Sequence, residues 1–296
     1  MITPNLLIVG AAKSGTTSLH NYLKQHSDIF MSEHKEPHFF INNEIGTNRI
    51  AKGISKYDDY IALFKNSENY KYRGESSAMY LQFPDISIKN INKYLNDNVK
   101  IIIMLRNPIE RAFSGYQHVK RYNIMENLDF EEAIKECENR YFINTNFTPA
   151  SRYINIGMYY NMVKKFKANF GENIHIVIYD DFIADTQKEL SKIFSFLNIS
   201  ECVININEKY MVGGWQWKNS FLKKLFLKKN LLNKLIRFIL PFQSFKKILR
   251  NLLVKVFSSP VVKMKDTTKI SLQNLYKEDI KKLSNIIDRD LKIWLK

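Results

Sequence analysis

The chain has 296 residues, of which 45% are hydrophobic and 13% aromatic, so it can bury a substantial core and is not a disordered protein. Its formal net charge is +16, and fourteen Lys and Arg residues but no acidic residue lie between Glu208 and Asp266. Because the remainder is close to neutral, the charge argues against a general nucleic-acid-binding protein, and we expect no nucleic-acid partner. Two cysteines, Cys137 and Cys202, exclude a disulfide framework and favour a reducing compartment.

The first predicted element is a buried strand at residues 6–9 that ends at Gly10 and leads through a polar loop into a helix. The free N–H groups at such a helix start and the positive end of its dipole bind a phosphate-like anion. The residues that we expect to hold this anion are Lys13, Ser14, Gly15, Thr16, Thr17 and Ser18. The two glycines are spaced as in the triphosphate loop G-x-x-x-x-G-K-[ST], but Thr16 stands where that loop needs its lysine. The alternative is a tight turn that binds nothing.

Two polar segments follow. Residues 34–40 place Glu36 and His38 just before two phenylalanines. The ordinary pKa of histidine lies near neutrality, so His38 can exchange a proton. The alternatives are a packed imidazole for His38 and a capping or solvated carboxylate for Glu36. Residues 73–80 contain Glu75, which we expect to orient a neighbouring group or to contact an acceptor.

Residues 100–105 predict a second aliphatic strand, which ends at Arg106. Pro108 is typical of the first turn of a helix, and Ser114 follows on that helix. The planar fork of an arginine matches phosphate oxygens bidentately, whereas a structural salt bridge is the alternative role for Arg106. This turn is therefore a second candidate for phosphate binding.

Residues 173–178 predict a third strand, with Asp180 and Asp181 as caps of a following helix at 187–197. Three buried strands separated by helices indicate an α/β fold with a parallel sheet covered on both faces. Ligands of such sheets bind beyond the carboxyl ends of the strands, where both phosphate candidates lie.

In the C-terminal third, the sequence predicts a basic amphipathic helical segment at 209–265, whose first part is a loop with two tryptophans and Lys218. A closing helix follows at 266–296. The apolar residues and lysines of 218–257 predict contact with an anionic membrane surface. Helices that pack on the core with a solvated basic face, or contact with an anionic polysaccharide, are the alternatives. The short first apolar run resembles neither a signal peptide nor an anchor, so we expect a cytoplasmic protein, peripheral on the inner face of the membrane.

Residues 6–19 and 100–114 together resemble the two nucleotide-binding segments of sulfotransferases that use 3′-phosphoadenosine 5′-phosphosulfate (PAPS). The resemblance extends over nearly the whole chain and implies a P-loop-like three-layer sandwich, with a central parallel sheet flanked by helices, in a single domain 1–296. It implies PAPS as cosubstrate, no metal, and a hydroxyl of a glycan, glycolipid or similar molecule as acceptor.

The resemblance also implies roles for single residues. The loop after the first strand holds the 5′-phosphosulfate, and Arg106 and Ser114 hold the 3′-phosphate. Glu36 lies in a segment similar to the signature K-E-x-x-F-F and takes the acceptor proton, with His38 as the other candidate base. Lys13 stabilises the charge on the leaving oxygen, and Lys218 adds a contact to the 3′-phosphate.

Two other functions remain open at this point. A P-loop kinase-like enzyme would depend on ATP and magnesium, and the missing lysine after Gly15 counts against it. A non-catalytic adaptor would bind a membrane or polyanion through the basic segment. Heparan-type enzymes carry a lysine where this chain has Ser76, so one cation that would stabilise the transition state is missing. This difference keeps the adaptor alternative open.

Overall fold

The computed structural model describes residues 2–50, 52–208, 214–219, 223–224 and 256–296. Most of the basic segment at 209–265 therefore lies outside the described residues, and the predicted membrane-binding helices fall there.

A sheet of five parallel strands in the order β2–β3–β1–β4–β5 forms the centre of the fold. Its strands are β1 (Leu6–Gly10), β2 (Ile29–Met31), β3 (Tyr72–Ser76), β4 (Lys100–Leu105) and β5 (Ile174–Ile178). The middle strand β1 sets the register, since Leu6 pairs with Gly74 on one side and with Lys100 on the other. Two further strands, β6 (Trp215–Trp217) and β7 (Ser258–Pro260), form a separate two-stranded antiparallel sheet.

Helices connect the strands, as parallel pairing requires. They are α1 (Thr16–Leu23), α2 (Phe39–Ile45), α3 (Tyr57–Ile61), α4 (Pro84–Tyr94), α5 (Pro108–Tyr122), α6 (Phe130–Ile143), α7 (Tyr159–Phe170), α8 (Tyr179–Ala184), α9 (Thr186–Leu197) and α10 (Asp266–Ile287). Short 3-10 turns at Ala62–Phe64, Pro149–Ser151, Asn155–Gly157, Gly171–Asn173 and Lys292–Leu295 complete the described chain.

The sheet separates two hydrophobic clusters, because successive residues of a strand point to opposite faces. Leu7 and Ile103 belong to the cluster under α2 to α7 and α10. Ile8 and Met104 belong to the other, under α1, α8 and α9. The predicted three-layer α/β sandwich is confirmed.

This arrangement opens a crevice at the carboxyl ends of β1 and β4. Helix α1 leaves β1 toward one face of the sheet, whereas α5 leaves β4 toward the other, so the two helices diverge. Such a point of reversal in strand order is where ligands bind in open parallel sheets.

Local sequence explains how α5 and α6 begin. Pro108 occupies the first turn of α5, and the side chain of Asn107 accepts a hydrogen bond from the Ile109 N–H at 3.0 Å. Asp129 caps α6 by accepting from the Glu132 N–H at 2.9 Å.

One expectation about local structure was wrong. Asp180 and Asp181 lie inside α8 and do not cap the next helix, because they bind Trp294 and Arg289 of the C-terminus. The cap of α9 is Asp185, which accepts from the Lys188 N–H at 3.0 Å. The sequence pattern also missed β2 and β3.

Candidate active site

A cleft of about 400 Å³ occupies the crevice between β1 and β4. It is lined by the loop after β1, the loop before α2, the turn after β3, the exposed face of α5 and the start of α8. Predicted residues that line it are Lys13, Gly15, Thr16, Thr17, Ser18, Glu36, Arg106 and Ser114. The fold therefore gathers most of the predicted site residues into one cleft.

The loop after β1 is shaped by two residues in the left-handed region, Lys13 at φ 70° and Gly15 at φ 92°. The Ala11 N–H donates to the Met104 carbonyl at 2.7 Å, which fixes the loop to β4. A Cβ atom on Gly15 would lie 3.0 Å from the Tyr179 ring, so only glycine fits there. The first N–H groups of α1, at Thr16 and beyond, have no intrahelical acceptor and face the cleft.

Ser14 differs from its neighbours in this loop. Its side chain is fully buried, and its N–H donates to the Ala11 carbonyl at 3.2 Å. It is absent from the lining of the cleft. Its place in the loop is therefore structural in this conformation.

Lys13 reaches into the cleft alongside α5. Burial lowers its pKa to about 8, and the positive charges of Arg121, Arg106 and Lys35 act in the same direction against the attraction of Glu36. The loop thus holds a partly desolvated cation that is repelled by other cations. A bound anion would offset this repulsion.

Arg106 bridges the two phosphate candidates. Its Nη1 donates to the Lys13 carbonyl at 3.5 Å, and its Nη2 donates to Glu110 at 2.9 Å. The guanidinium lies 4.8 Å from the centroid of the Tyr179 ring, and its buried Nε has no hydrogen-bond partner among the described residues. One buried donor of Arg106 is therefore unused within the described protein.

Glu36 also lines the cleft and has a positive φ of 65°. Its carboxylate is 3.0 Å from Nζ of Lys35 and 3.6 Å from Nε2 of His38. Burial raises its pKa, but the charge of Lys35 and the nearby His38 outweigh that effect and hold the pKa well below its usual range. Glu36 is consequently ionised in the empty cleft.

The loop of Glu36 is held by the segment after β3. The Glu36 N–H donates to the Ser76 carbonyl at 2.9 Å, and the His38 N–H donates to Oγ of Ser77 at 3.0 Å. Ser77 in turn donates to Glu75 at 2.8 Å. Glu75 is fully buried, which raises its pKa to about 7. Glu75 therefore orients this loop and has no access to an acceptor in this structure.

Ser76, where the resemblance leads us to expect a lysine, is not among the residues that line the cleft. Its side chain is buried and lies 2.9 Å from Nδ1 of His20. Lys35 instead supplies a cation to the cleft. Lys35 was not among the predicted site residues, although it directly precedes Glu36.

A second cleft of about 470 Å³ adjoins the first and shares Lys35, Glu36 and His118 with it. His38 lines only this second cleft. Burial and the charge of Lys13 lower the pKa of His118 to about 4, so its imidazole is neutral at physiological pH. The remaining wall is mostly polar and includes Asn48, Arg49, Lys52, Asn123, Asn146 and Thr148.

Lys218 lies outside both clefts. It follows β6, and its Nζ donates to the Val256 carbonyl at 2.7 Å. The two-stranded sheet of β6 and β7 is fixed to α5, since Arg121 donates to the Trp215 carbonyl at 2.9 Å. A larger cavity of about 650 Å³ lies beside this two-stranded sheet, and none of the predicted site residues lines it. The structure does not bring Lys218 to the other phosphate candidates.

Among the described residues, no group of three His, Cys, Asp or Glu side chains is placed to hold a metal ion. Within the same ranges, no helix has the length and apolar character needed to cross a membrane.

A family model described as "Sulfotransferase domain" matches residues 3–213. The crystal structure of a sulfotransferase from Alicyclobacillus acidocaldarius shares the fold with a TM-score of 0.76 and 26% sequence identity, over 100% of both chains.

Curated relatives match shorter regions. "Membrane-associated sulfotransferase kil1" of Dictyostelium discoideum is 33% identical over 113 residues, which cover 38% of this chain and 22% of the relative. Human "Carbohydrate sulfotransferase 15" is 23% identical over 248 residues, which cover 66% of this chain and 44% of the relative. The chain thus matches less than half the length of either relative. Since the family model spans well over half of the chain, the chain belongs to the sulfotransferase domain family.

Proposed function

We propose that this protein transfers a sulfuryl group from PAPS to a hydroxyl of a glycan, glycolipid or similar acceptor. The observation that carries this proposal is the single cleft in which two anion-binding segments, around Lys13 and Arg106, face an ionised carboxylate, Glu36. In the reaction the acceptor oxygen forms a bond to sulfur, the bond from sulfur to the 5′-phosphate oxygen breaks, and 3′,5′-adenosine bisphosphate leaves.

The nucleotide would lie across the crevice, with its two phosphates at different segments. The N–H groups and hydroxyls of Thr16, Thr17 and Ser18 hold the 5′-phosphosulfate at the start of α1. Arg106, with its unpartnered Nε, and Ser114 hold the 3′-phosphate. We keep Ser14 and Lys218 as weaker members of this set, because each requires a local rearrangement to reach the nucleotide.

Lys13 acts on the leaving group. Its ammonium compensates the negative charge that grows on the 5′-phosphate oxygen as the bond to sulfur breaks. The desolvated surroundings that lower its pKa also strengthen this interaction, because few water molecules compete for the charge.

Glu36 acts on the acceptor. Its carboxylate takes the hydroxyl proton while the acceptor oxygen attacks sulfur, and Lys35 and His38 orient it. Neutral His118 lies on the shared wall of both clefts, where it can accept a hydrogen bond from the acceptor hydroxyl.

The second cleft is where we place the acceptor. It opens directly at Glu36, and its amide, hydroxyl and basic side chains match the hydroxyl and anionic groups of a glycan. The printed name of human carbohydrate sulfotransferase 15 supports the same class of acceptor.

We also propose that the protein is cytoplasmic and that the basic segment holds it on the inner face of the membrane. Fourteen basic residues and no acidic one between Glu208 and Asp266 support this proposal, as does the printed name of the membrane-associated relative. Co-sedimentation with phosphatidylglycerol-containing vesicles, lost at high salt and absent with phosphatidylcholine alone, is the expected result. Equal binding to both kinds of vesicle would contradict it.

Calorimetric titration with 3′,5′-adenosine bisphosphate, 5′-AMP and ATP with magnesium tests the reaction class. We expect the bisphosphate to bind most tightly and Arg106→Ala to lose that preference. Tighter binding of ATP with magnesium would indicate a kinase-like enzyme, and absence of nucleotide binding would indicate an adaptor. Transfer of labelled sulfate from PAPS to a panel of glycans then identifies the acceptor.

A further inference from the structure

Arg111 lies on α5, one turn before Ser114, and has no role in the site as described so far. Its side chain is fully buried, yet it forms part of the wall of the nucleotide cleft. Nη2 donates to the Tyr153 carbonyl, whereas Nε and Nη1 have no hydrogen-bond partner among the described residues. The Tyr276 hydroxyl also lies beside the guanidinium, which lowers the pKa of that hydroxyl against the effect of burial. A buried guanidinium with two unpaired donors thus lies beside the cleft.

The charge of Arg111 is also unbalanced. The ion pairs found among the described residues involve other arginines, including Arg106, Arg140, Arg152 and Arg289. The segments outside the described ranges contain no Asp or Glu, so they hold no carboxylate that could neutralise it. Buried charges are normally paired, because burial without a partner costs free energy.

The surroundings of Arg111 place this charge at the predicted phosphate contacts. Residues three apart on a helix are neighbours on one face, so Ser114 lies beside it. A Cβ atom on Gly115 would lie 3.4 Å from Nη1 of Arg111 and 4.0 Å from Cγ of Lys13. The missing side chain at Gly115 therefore leaves room between Arg111 and the anion-binding loop.

We propose that Arg111 is a phosphate-binding residue whose buried charge is neutralised by the 3′-phosphate of the bound nucleotide, together with Arg106 and Ser114. This inference rests on the proposed function. It assigns the unused donors to the dianionic group that distinguishes this nucleotide from AMP, so Arg111 selects for the 3′-phosphate. A purely structural role would consist of the bond to the Tyr153 carbonyl and the interaction with the Tyr276 hydroxyl.

The test compares the affinities of 3′,5′-adenosine bisphosphate and 5′-AMP in the full chain, by calorimetry, for the wild type and Arg111→Met. The matched control is Arg152→Met, because Arg152 is a mostly buried arginine that pairs with Glu138 and does not line the cleft. We expect Arg111→Met to weaken bisphosphate binding about 10- to 100-fold, as for loss of a charged hydrogen bond, and AMP binding less than about twofold. Arg152→Met should leave the ratio of the two affinities unchanged.

Thermal unfolding without nucleotide separates the two roles. A phosphate-binding Arg111 costs stability in the empty protein, so Arg111→Met should match or exceed the wild-type midpoint. A lower midpoint with an unchanged affinity ratio would overturn the inference. Should Arg111→Met fail to fold, Arg111→Lys provides the test, because an ammonium lacks the planar fork and an unchanged ratio would again overturn it. A wild type that does not prefer the bisphosphate would refute the proposed function itself.

Discussion

Nη1 of Arg106 donates to the backbone carbonyl of Lys13 at 3.5 Å. This hydrogen bond joins the loop after β1 to the turn after β4, so the two predicted phosphate sites form one continuous wall. A ligand that contacts both segments therefore meets a surface whose two halves are already aligned, which reduces the cost of ordering them on binding.

Arg106→Lys is expected to weaken binding of 3′,5′-adenosine bisphosphate by about 10- to 100-fold. A lysine retains the charge but has no planar fork, so it cannot hold a phosphate bidentately while also binding Glu110 and the Lys13 carbonyl. Calorimetry measures the change. Arg73→Lys, at an arginine bound to backbone carbonyls elsewhere, is the control and should bind normally. Unchanged affinity in Arg106→Lys would remove Arg106 from the site.

Nucleotide affinity should fall as the pH rises above about 8. Burial lowers the pKa of Lys13 to about 8 in the empty cleft, and a bound anion raises it again, so binding above this pH requires uptake of a proton. Affinity then decreases about tenfold per pH unit. Titration of the wild type and Lys13→Arg between pH 7 and 9.5 measures this effect. The arginine stays protonated, so a decline that persists in Lys13→Arg would assign the effect to another group.

Glu36→Gln should reduce turnover by about 10²- to 10⁴-fold, as expected for loss of a general base, while nucleotide binding stays within about threefold. The amide keeps the size of the side chain but accepts no proton. Sulfate transfer under saturating PAPS, together with calorimetry, separates the two effects. His38→Asn is the companion variant, and a larger loss there than in Glu36→Gln would make His38 the base.

Glu75→Gln should change how stability depends on pH. Burial raises the pKa of Glu75 from 4.5 to about 7, so the folded protein binds a proton that the unfolded chain has released between these values. Wild-type stability therefore falls as the pH rises from about 4.5 to 7, whereas the amide does not titrate. Denaturation at pH 5 and 7.5 should show Glu75→Gln gaining on the order of 2 kcal/mol relative to wild type. An equal pH response in both proteins would contradict this assignment.

The sequence predicted the elements whose pattern is local. The continuous aliphatic runs of β1, β4 and β5 and the polar turns behind them identified the layered fold and the carboxyl-end location of the cleft. Strand β3 was not predicted because it contains Gly74 and the buried Glu75, and glycine and glutamate are depleted in strands. Strand β2 has only three residues and gives too short a period to recognise.

Contacts made by distant parts of the chain were beyond a sequence pattern. The aspartates at the start of α8 resemble caps, but tertiary partners at the C-terminus occupy them. The seclusion of Ser14 and the approach of Lys35 to the cleft likewise depend on packing between segments far apart in sequence. Residue type indicated what chemistry was available, whereas orientation depended on the assembled fold.

The pairing of β6 with β7 brings together two positions of the basic segment that are far apart in sequence, since the Lys218 N–H donates to the Phe257 carbonyl at 3.0 Å. The chain between Lys218 and Phe257 therefore begins and ends at one place, which Arg121 fixes to α5. Near its start, Lys223 donates to the Glu126 carbonyl at 2.6 Å. A segment closed in this way can change in length or composition without displacing the strands and helices of the cleft. We therefore expect the proposed membrane attachment and the proposed sulfuryl transfer to evolve independently in this chain, as exchangeable parts of one gene product.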